Sequence, residues 1–290
     1  MESRSSHSAA LSPSRIKDFH NCPLKFRYRM VDQLPEPPST AALRGTIIHA
    51  VLEHIFDVEP HERTEARAQA ALADEWTAHV NKHPQALDLF SGSDECNEWL
   101  DSARPLLSAY FQVENPQFLQ PIGREQYVRT QLPSGVAIHG FIDRLDEAPN
   151  GALRVVDYKS GKSPSPRFQD DYLFQMRFYA TALYYHSGRL PARTQLIFLK
   201  DARVLTYDPT EFDIQSLGAE VDQAWHEIKA SLLARSFAPT PNKLCDWCAF
   251  KAFCPAFGGT EPPIPQERIH YVLTVDTPAD RPTDEPAQAA

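Results

Sequence analysis

The sequence predicts a mixed α/β (α+β) fold with a helical first third, and three observations carry that prediction. Before about residue 120, apolar side chains recur at helical spacing. Between about 125 and 207, short alternating runs are separated by turn signals. Helical patterns return between those runs and after them. A chain of 290 residues has room for one large domain or two small ones.

The elements follow in order. Residues 1–10 are small and polar and are expected to be disordered. Leu11-Ser12-Pro13-Ser14-Arg15-Ile16 reads as a helix start, with Ser12 as N-cap and Pro13 in the first turn, ending near Cys22-Pro23. Val31 to Ser39 is a proline-rich loop. From Thr40 a second helix carries Leu43, Ile47, Ile48, Val51, Leu52 and Ile55, and it ends near Phe56. Glu65 to Val80 and Ser93 to Gln112 read as further amphipathic helices, which makes 11–120 an N-terminal helical region.

The core, 121–236, then changes period. Glu125 to Leu132 alternates, Pro133-Ser134-Gly135 turns, and Val136 to Glu147 is a strand. Asn150-Gly151 is a hairpin signal before a strand from Ala152 to Tyr158, so an antiparallel meander is expected. A helix from about Gln169 to His186 precedes strands at Thr194–Leu199 and Arg203–Tyr207, and a long helix follows from Glu211 to about Arg235. A cysteine-bearing segment, 237–258, leads into 259–290, rich in Pro, Thr, Asp and Ala and expected to be disordered.

Composition narrows the function classes. The formal net charge is −9, from 29 Lys+Arg against 38 Asp+Glu, which argues against a protein that coats nucleic acid. Carboxylates that hold cations are neutralised locally, however, so a DNA contact would have to come from a local basic groove. No stretch approaches the roughly 18 to 20 apolar residues that span a bilayer, and Met1 to Ala10 lacks the apolar core of a secretory signal. A cytoplasmic protein is expected, with no membrane partner. Five cysteines without an export signal favour metal or cluster ligation over a disulfide framework. The sequence carries no Gly-x-x-x-x-Gly-Lys-Ser/Thr phosphate loop, and so no helicase motor.

Asp157 and Lys159 lie two apart on one strand and project together, and Asp143 on the preceding strand can face them. Oxygen ligands of this kind suit Mg²⁺ or Mn²⁺, and an adjacent ammonium can orient a water and balance developing charge. The plainer alternative is a solvated Asp157–Lys159 pair at a strand end, with Asp143–Arg144 as a surface salt bridge. Against it, Asp157 follows Val155 and Val156, where an unpaired carboxylate is costly. Ser160-Gly161-Lys162 then opens a loop. Gln175 and Tyr179 share a helix face, as do Gly45, His49 and Glu53. A histidine amid Ile47, Ile48 and Val51 is more often a core residue than a ligand, and Gln175 with Tyr179 could be a polar seam.

Four segments occur in order: Arg44-Gly45-Thr46-Ile47-Ile48-His49, Gly140-Phe141-Ile142-Asp143-Arg144, Val156-Asp157-Tyr158-Lys159-Ser160-Gly161-Lys162 and Gln175-Met176-Arg177-Phe178-Tyr179. Together, from about Leu11 to Phe257, they resemble the RecB-type branch of the PD-(D/E)-x-K nucleases, which includes the CRISPR adaptation nucleases and helicase–nuclease nuclease domains. The resemblance implies a restriction-endonuclease-like core, a central mixed sheet flanked by helices. It implies His49, Asp143 and Asp157 as metal ligands together with the Tyr158 carbonyl, Lys159 as catalytic lysine, and Gln175 and Tyr179 positioning the lysine, the strand or both. Glu125 matches a glutamate often near such sites. The nominal Pro-Asp of the superfamily is here Ile142-Asp143.

Cys245-Asp246-Trp247-Cys248 and Cys254-Pro255 supply three ligands, and Cys22-Pro23 is the candidate for a fourth; Cys96 reads as a spare thiol. Thiolates fit tetrahedral zinc or a cubane cluster, and proline after cysteine is seen in cluster-binding runs. The resemblance implies a structural [4Fe–4S] staple. It also implies metal-dependent hydrolysis of DNA, as an exonuclease on single strands or ends, in repair or recombination, with a helicase or other repair protein as a partner in trans. Two alternatives stand beside it, a non-catalytic DNA-binding or scaffold module and a zinc-stapled RNA-processing nuclease.

Overall fold

Five strands form one sheet, in the spatial order β1-β2-β3-β4-β5, in the computed structural model, which describes residues 9–277. Residues 1–8 and 278–290, where disorder is expected from composition, lie outside the described residues. The strands are β1 Pro121–Gln131, β2 Ala137–Glu147, β3 Leu153–Lys159, β4 Arg193–Phe198 and β5 Arg203–Tyr207. The helices are α1 Pro13–Asn21, α2 Pro23–Phe26, α3 Thr40–His54, α4 Glu65–Lys82, α5 Ser93–Asp101, α6 Arg104–Val113, α7 Asp170–Ser187, α8 Glu211–Ala234 and α9 Gln266–Val272.

Local chemistry sets most of these boundaries. The hydroxyls of Ser12, Ser39 and Thr64 accept from the N–H groups of Arg15, Ala42 and Arg67, capping α1, α3 and α4. Gly151, at φ 82°, makes the turn between β2 and β3. The single helix expected over Ser93–Gln112 is instead two. The chain turns at Ser102–Ala103 and restarts with Pro105 in the first turn of α6, where its missing N–H costs nothing.

The sheet is mixed. β2 and β3 are antiparallel, with Arg144 opposite Val156; β3 and β4 are parallel, with Asp157 opposite Leu196 and Tyr158 opposite Ile197; β4 and β5 are antiparallel. A parallel pair needs a crossover, and α7 supplies it. This is the helix-flanked mixed sheet of the restriction-endonuclease-like type.

The chain divides into two compact units, one comprising 35–128 and 140–220 and the other the described residues up to Leu34, 129–139 and those from Val221 on. In the first, both sheet faces are covered. Val156, Tyr158, Ile197 and Leu199 pack against Ile47, Ile48, Val51 and Leu52 of α3, Leu72 of α4 and Leu107 and Tyr110 of α6. On the other face, Leu196 and Phe198 meet Met176 of α7.

Buried within this unit is Arg144, at 1% exposure. It lies in no surface pair with Asp143. Its guanidinium donates to Asp146 at 3.0 Å, to Glu114 at 2.8 Å and to the hydroxyls of Tyr158 and Tyr110. Arg154 closes the network, 2.7 Å from Asp146 and 2.8 Å from Glu114. Both strands of the hairpin are thus tied to α6 and to the Tyr158 ring.

In the second unit, Leu11 forms a parallel bridge with Ile138, and Ala9 and Ala10 are buried rather than frayed. The segment after Gly258, expected to be disordered, instead forms α9 and a 3₁₀ turn, Leu273–Asp276, burying Ile269, Val272 and Val275. Thr274 Oγ1 accepts from the Ala9 N–H at 2.9 Å, and the Arg268 guanidinium donates to the Met30 and Val31 carbonyls. Among the described residues no helix is long and apolar enough to cross a membrane.

Two outcomes follow from these buried groups. Arg144→Met leaves Asp146 and Glu114 with Arg154 alone; urea unfolding should show a loss of about 3 kcal/mol, the low end for a broken buried pair, and a loss under about 1 kcal/mol would refute the brace. His139 lies 3.0 Å from the Arg15 guanidinium, and burial, then Arg15 and Arg129, push its pKa down to about 4. Its neutral form is therefore favoured by folding. The associated stability is complete above the unfolded value of about 6.5 and is lost as pH falls toward about 4. Thermal unfolding of His139→Gln should vary less across that window than wild type.

Candidate active site

Four elements of one unit converge at the end of the β2–β3 hairpin. α3 brings His49, β1 brings Glu125, β2 brings Asp143, and β3 brings Asp157, Tyr158 and Lys159. Ligand atoms of His49, Glu125 and Asp143 all lie within 4.8 Å of one another. His49 Nδ1 is 3.4 Å from Asp143 Oδ2 and 3.6 Å from Glu125 Oε1, and its Nε2 is 3.0 Å from the Tyr158 carbonyl. The Tyr158 N–H donates to Asp143 Oδ2 at 2.7 Å. One peptide unit on either side of Tyr158 Cα thus contacts the cluster, while the Tyr158 ring is held by Arg144 behind it.

Asp157 is 4% exposed and Asp143 8%. Lys159 Nζ stands 2.6 Å from Asp157 Oδ2, an oxygen that is buried and accepts no well-aligned hydrogen bond. Gln175 Nε2 donates to Asp157 Oδ1 at 3.1 Å and to the Tyr179 hydroxyl at 2.9 Å. Gln175 therefore reaches the carboxylate rather than the lysine. A Cβ at Gly140 would fall 2.9 Å from Tyr179 Cε1, so the absence of a side chain there is what admits the Tyr179 ring beside β2.

The electrostatics follow from crowding. Burial, then the neighbouring Asp157, pushes the Asp143 pKa up to about 7. Burial pulls His49 down, but Glu125, Asp143 and Asp157 outweigh it and leave it at about 9. Protons on His49 and Asp143 thus offset part of the carboxylate charge at neutral pH. The same donor set, an imidazole, buried carboxylates and a main-chain carbonyl, would suit a divalent cation, whose binding would displace those protons.

Glu125 has φ 43°, the left-handed region, in the middle of β1. Such a backbone costs of order 1 kcal/mol or more for a residue with a side chain, and here it accompanies a carboxylate turned toward His49. No sequence signal marks it. Arg144 is equally unmarked in the sequence, where a surface salt bridge with Asp143 is only the plainer alternative.

The other unit gathers a second set. Cys22, Cys245, Cys248 and Cys254 are half-buried and free of disulfides. Burial raises the Cys254 thiol, and Cys22, Cys248 and Cys245 are close enough to raise it further. Backbone N–H groups of Thr240 and Asn242 donate to Cys22 Sγ at 3.5 Å and Cys245 Sγ at 3.3 Å. The Tyr28 hydroxyl donates to the Phe253 carbonyl at 2.9 Å, and its ring packs on Phe250. Chain segments more than two hundred residues apart are therefore joined around the thiols. Cys96 is buried on α5, in the unit that holds the carboxylates.

Known proteins are similar to this chain. Gene 69 protein of Mycobacterium phage D29 is 25% identical over 268 residues, 85% of this chain and 96% of its own length. An ATP-dependent helicase/deoxyribonuclease subunit of Streptococcus equi subsp. zooepidemicus (strain H70) is 28% identical over 155 residues, 52% of this chain and 14% of that protein. The crystal structure of a candidate exonuclease from Eubacterium rectale matches in fold, with a TM-score of 0.56 at 15% identity over 88% of this chain and 91% of that one. A family model of the PD-(D/E)XK nuclease superfamily matches residues 10–255, a span that includes the whole carboxylate cluster and all four gathered cysteines. The chain belongs to the PD-(D/E)XK nuclease superfamily.

Proposed function

We propose that this nuclease is a Mg²⁺- or Mn²⁺-dependent exodeoxyribonuclease that hydrolyses phosphodiester bonds in single-stranded DNA or at DNA ends, in repair or recombination. The observation that carries the reading is the placement of Lys159 2.6 Å from Asp157 beside the His49–Glu125–Asp143 cluster. A solvated ion pair would have no reason to be buried with further carboxylates and a histidine. DNA rather than RNA is favoured by the helicase/deoxyribonuclease among its relatives. The same relative makes a helicase or other repair protein acting in trans a reasonable partner, since this chain has no phosphate loop of its own.

His49, Asp143, Asp157 and the Tyr158 carbonyl would hold the divalent ion, with Glu125 alongside. When bound, that ion supplies Lewis acidity toward a phosphoryl oxygen and favours deprotonation of water. Lys159 orients the attacking water and offsets the charge that develops on the phosphoryl group. Gln175 fixes the Asp157 carboxylate, and Tyr179 fixes Gln175. Attack in line leaves 5′-phosphate and 3′-hydroxyl ends. Cys22, Cys245, Cys248 and Cys254 hold a structural [4Fe–4S] cluster; the N–H groups aimed at two of the sulfurs suit thiolate ligation.

Asp157→Ala and Lys159→Ala should each lower Mn²⁺-dependent degradation of end-labelled single-stranded DNA by roughly 100-fold or more, and undiminished degradation by either would exclude this site. Protein purified anaerobically should contain iron and acid-labile sulfide in equal amounts. Cys22→Ala should release both and lower the unfolding temperature. Stoichiometric zinc without iron would replace the cluster by a tetrahedral site.

A further inference from the structure

Two aromatic rings stand out of the sheet next to the carboxylates. Tyr127 on β1 is 48% exposed and Phe141 on β2 is 53% exposed, and their ring centroids are 5.1 Å apart at 50°. Their chain neighbours Val128, Gly140 and Ile142 are all buried. Each ring belongs to a residue two positions from a member of the cluster, Tyr127 from Glu125 and Phe141 from Asp143. At a strand rise of roughly 3.3 Å per residue, neither Cα is more than about 7 Å from that neighbour's Cα. β1 and β2 are adjacent strands, so the pair forms one continuous aromatic surface at the edge of the site.

Exposing two packed rings in mid-strand forfeits burial that the core would otherwise use. Nothing in the hydrolytic chemistry requires them, because the donors that hold a cation and the lysine lie elsewhere. A planar apolar ligand would cover them, and the base of a nucleotide whose phosphate lies at the carboxylates is within their reach. Base stacking on aromatic side chains is tolerant of sequence, and it requires an unpaired base with an open face.

We propose that Tyr127 and Phe141 form a stacking platform for a base of the strand being cut, which deepens the nuclease reading above and rests on it. The platform selects single-stranded DNA at the site, since a base held within a duplex has both faces already occupied. Recognition is then by stacking rather than by base-edge hydrogen bonds, and the preference is for any base over none.

The test compares Mn²⁺-dependent cleavage of an end-labelled thymidine homopolymer with cleavage of a strand of equal length carrying abasic sites throughout. For the wild type, KM for the abasic strand should exceed that for the base-bearing strand by roughly tenfold, one stacked base. That ratio should fall toward one in Phe141→Ala and in Phe141→Leu, which keeps bulk without a π-face, and it should persist in Phe141→Trp. Because each ratio is taken within one protein, partial loss of folded enzyme cancels. A wild-type ratio near one, or an unchanged ratio in Phe141→Ala and Tyr127→Ala, overturns the platform while the nuclease reading stands. Failure of the wild type to cleave either strand overturns both.

Discussion

Asp143 and Asp157 are buried on neighbouring strands, and the rest of the site is arranged around the cost of that burial and their mutual repulsion. Each carboxylate costs free energy in this setting unless it is paired or protonated. His49 Nδ1 lies 3.4 Å from Asp143, Lys159 stands against Asp157, and Gln175 donates to the remaining Asp157 oxygen. Burial first, and then the neighbouring Asp157, still pushes the Asp143 pKa up to about 7. A site in this condition is predisposed to a divalent cation, which supplies the missing charge at one point.

Holding such a cluster requires rigid strands. The Arg144 network does this from the opposite direction, fastening Tyr158, Asp146 and Glu114 in a buried set of hydrogen bonds. Tyr158 joins the two halves. Its hydroxyl receives from Arg144, its N–H donates to Asp143, and its carbonyl contacts His49. A buried ion network is weak evidence for net stability, but it specifies one arrangement strictly because partial satisfaction is so costly. That strictness suits a site whose ligands come from three strands and a helix. The four cysteines, in the other unit, draw together chain segments distant in sequence, and a bound cluster there would limit the freedom of the unfolded chain.

Much of this was legible from the residues. Ser12 reads as a cap ahead of helical spacing, and α1 begins where that cap places it, while the apolar spacing from Thr40 and Glu65 marks α3 and α4. Asp157 and Lys159 share a strand face because strand periodicity is two. The split between α5 and α6 was also open to reading in Pro105, which the amphipathic pattern outweighed. Other features had no local signal. The segment after Gly258 is polar and proline-rich, and its order rests on Ile269, Val272 and Val275 finding burial. Arg144 sits beside a candidate ligand and looks solvated until Tyr110 of α6 and Glu114 just past its end close on it.

The sequence by itself determined the order of elements, the sheet-and-helix class and which side chains have the chemistry for a metal and for thiolate ligation. Those properties depend on local spacing and residue type, which a chain carries whether or not it is folded. Tertiary structure decided which groups meet. It brought His49 from α3 and Glu125 from a strained position in β1 to Asp143, and it buried Arg144. It also left Phe141 and Tyr127 half-exposed in mid-strand. Those outcomes depend on distances between residues far apart in the chain, and only packing sets such distances.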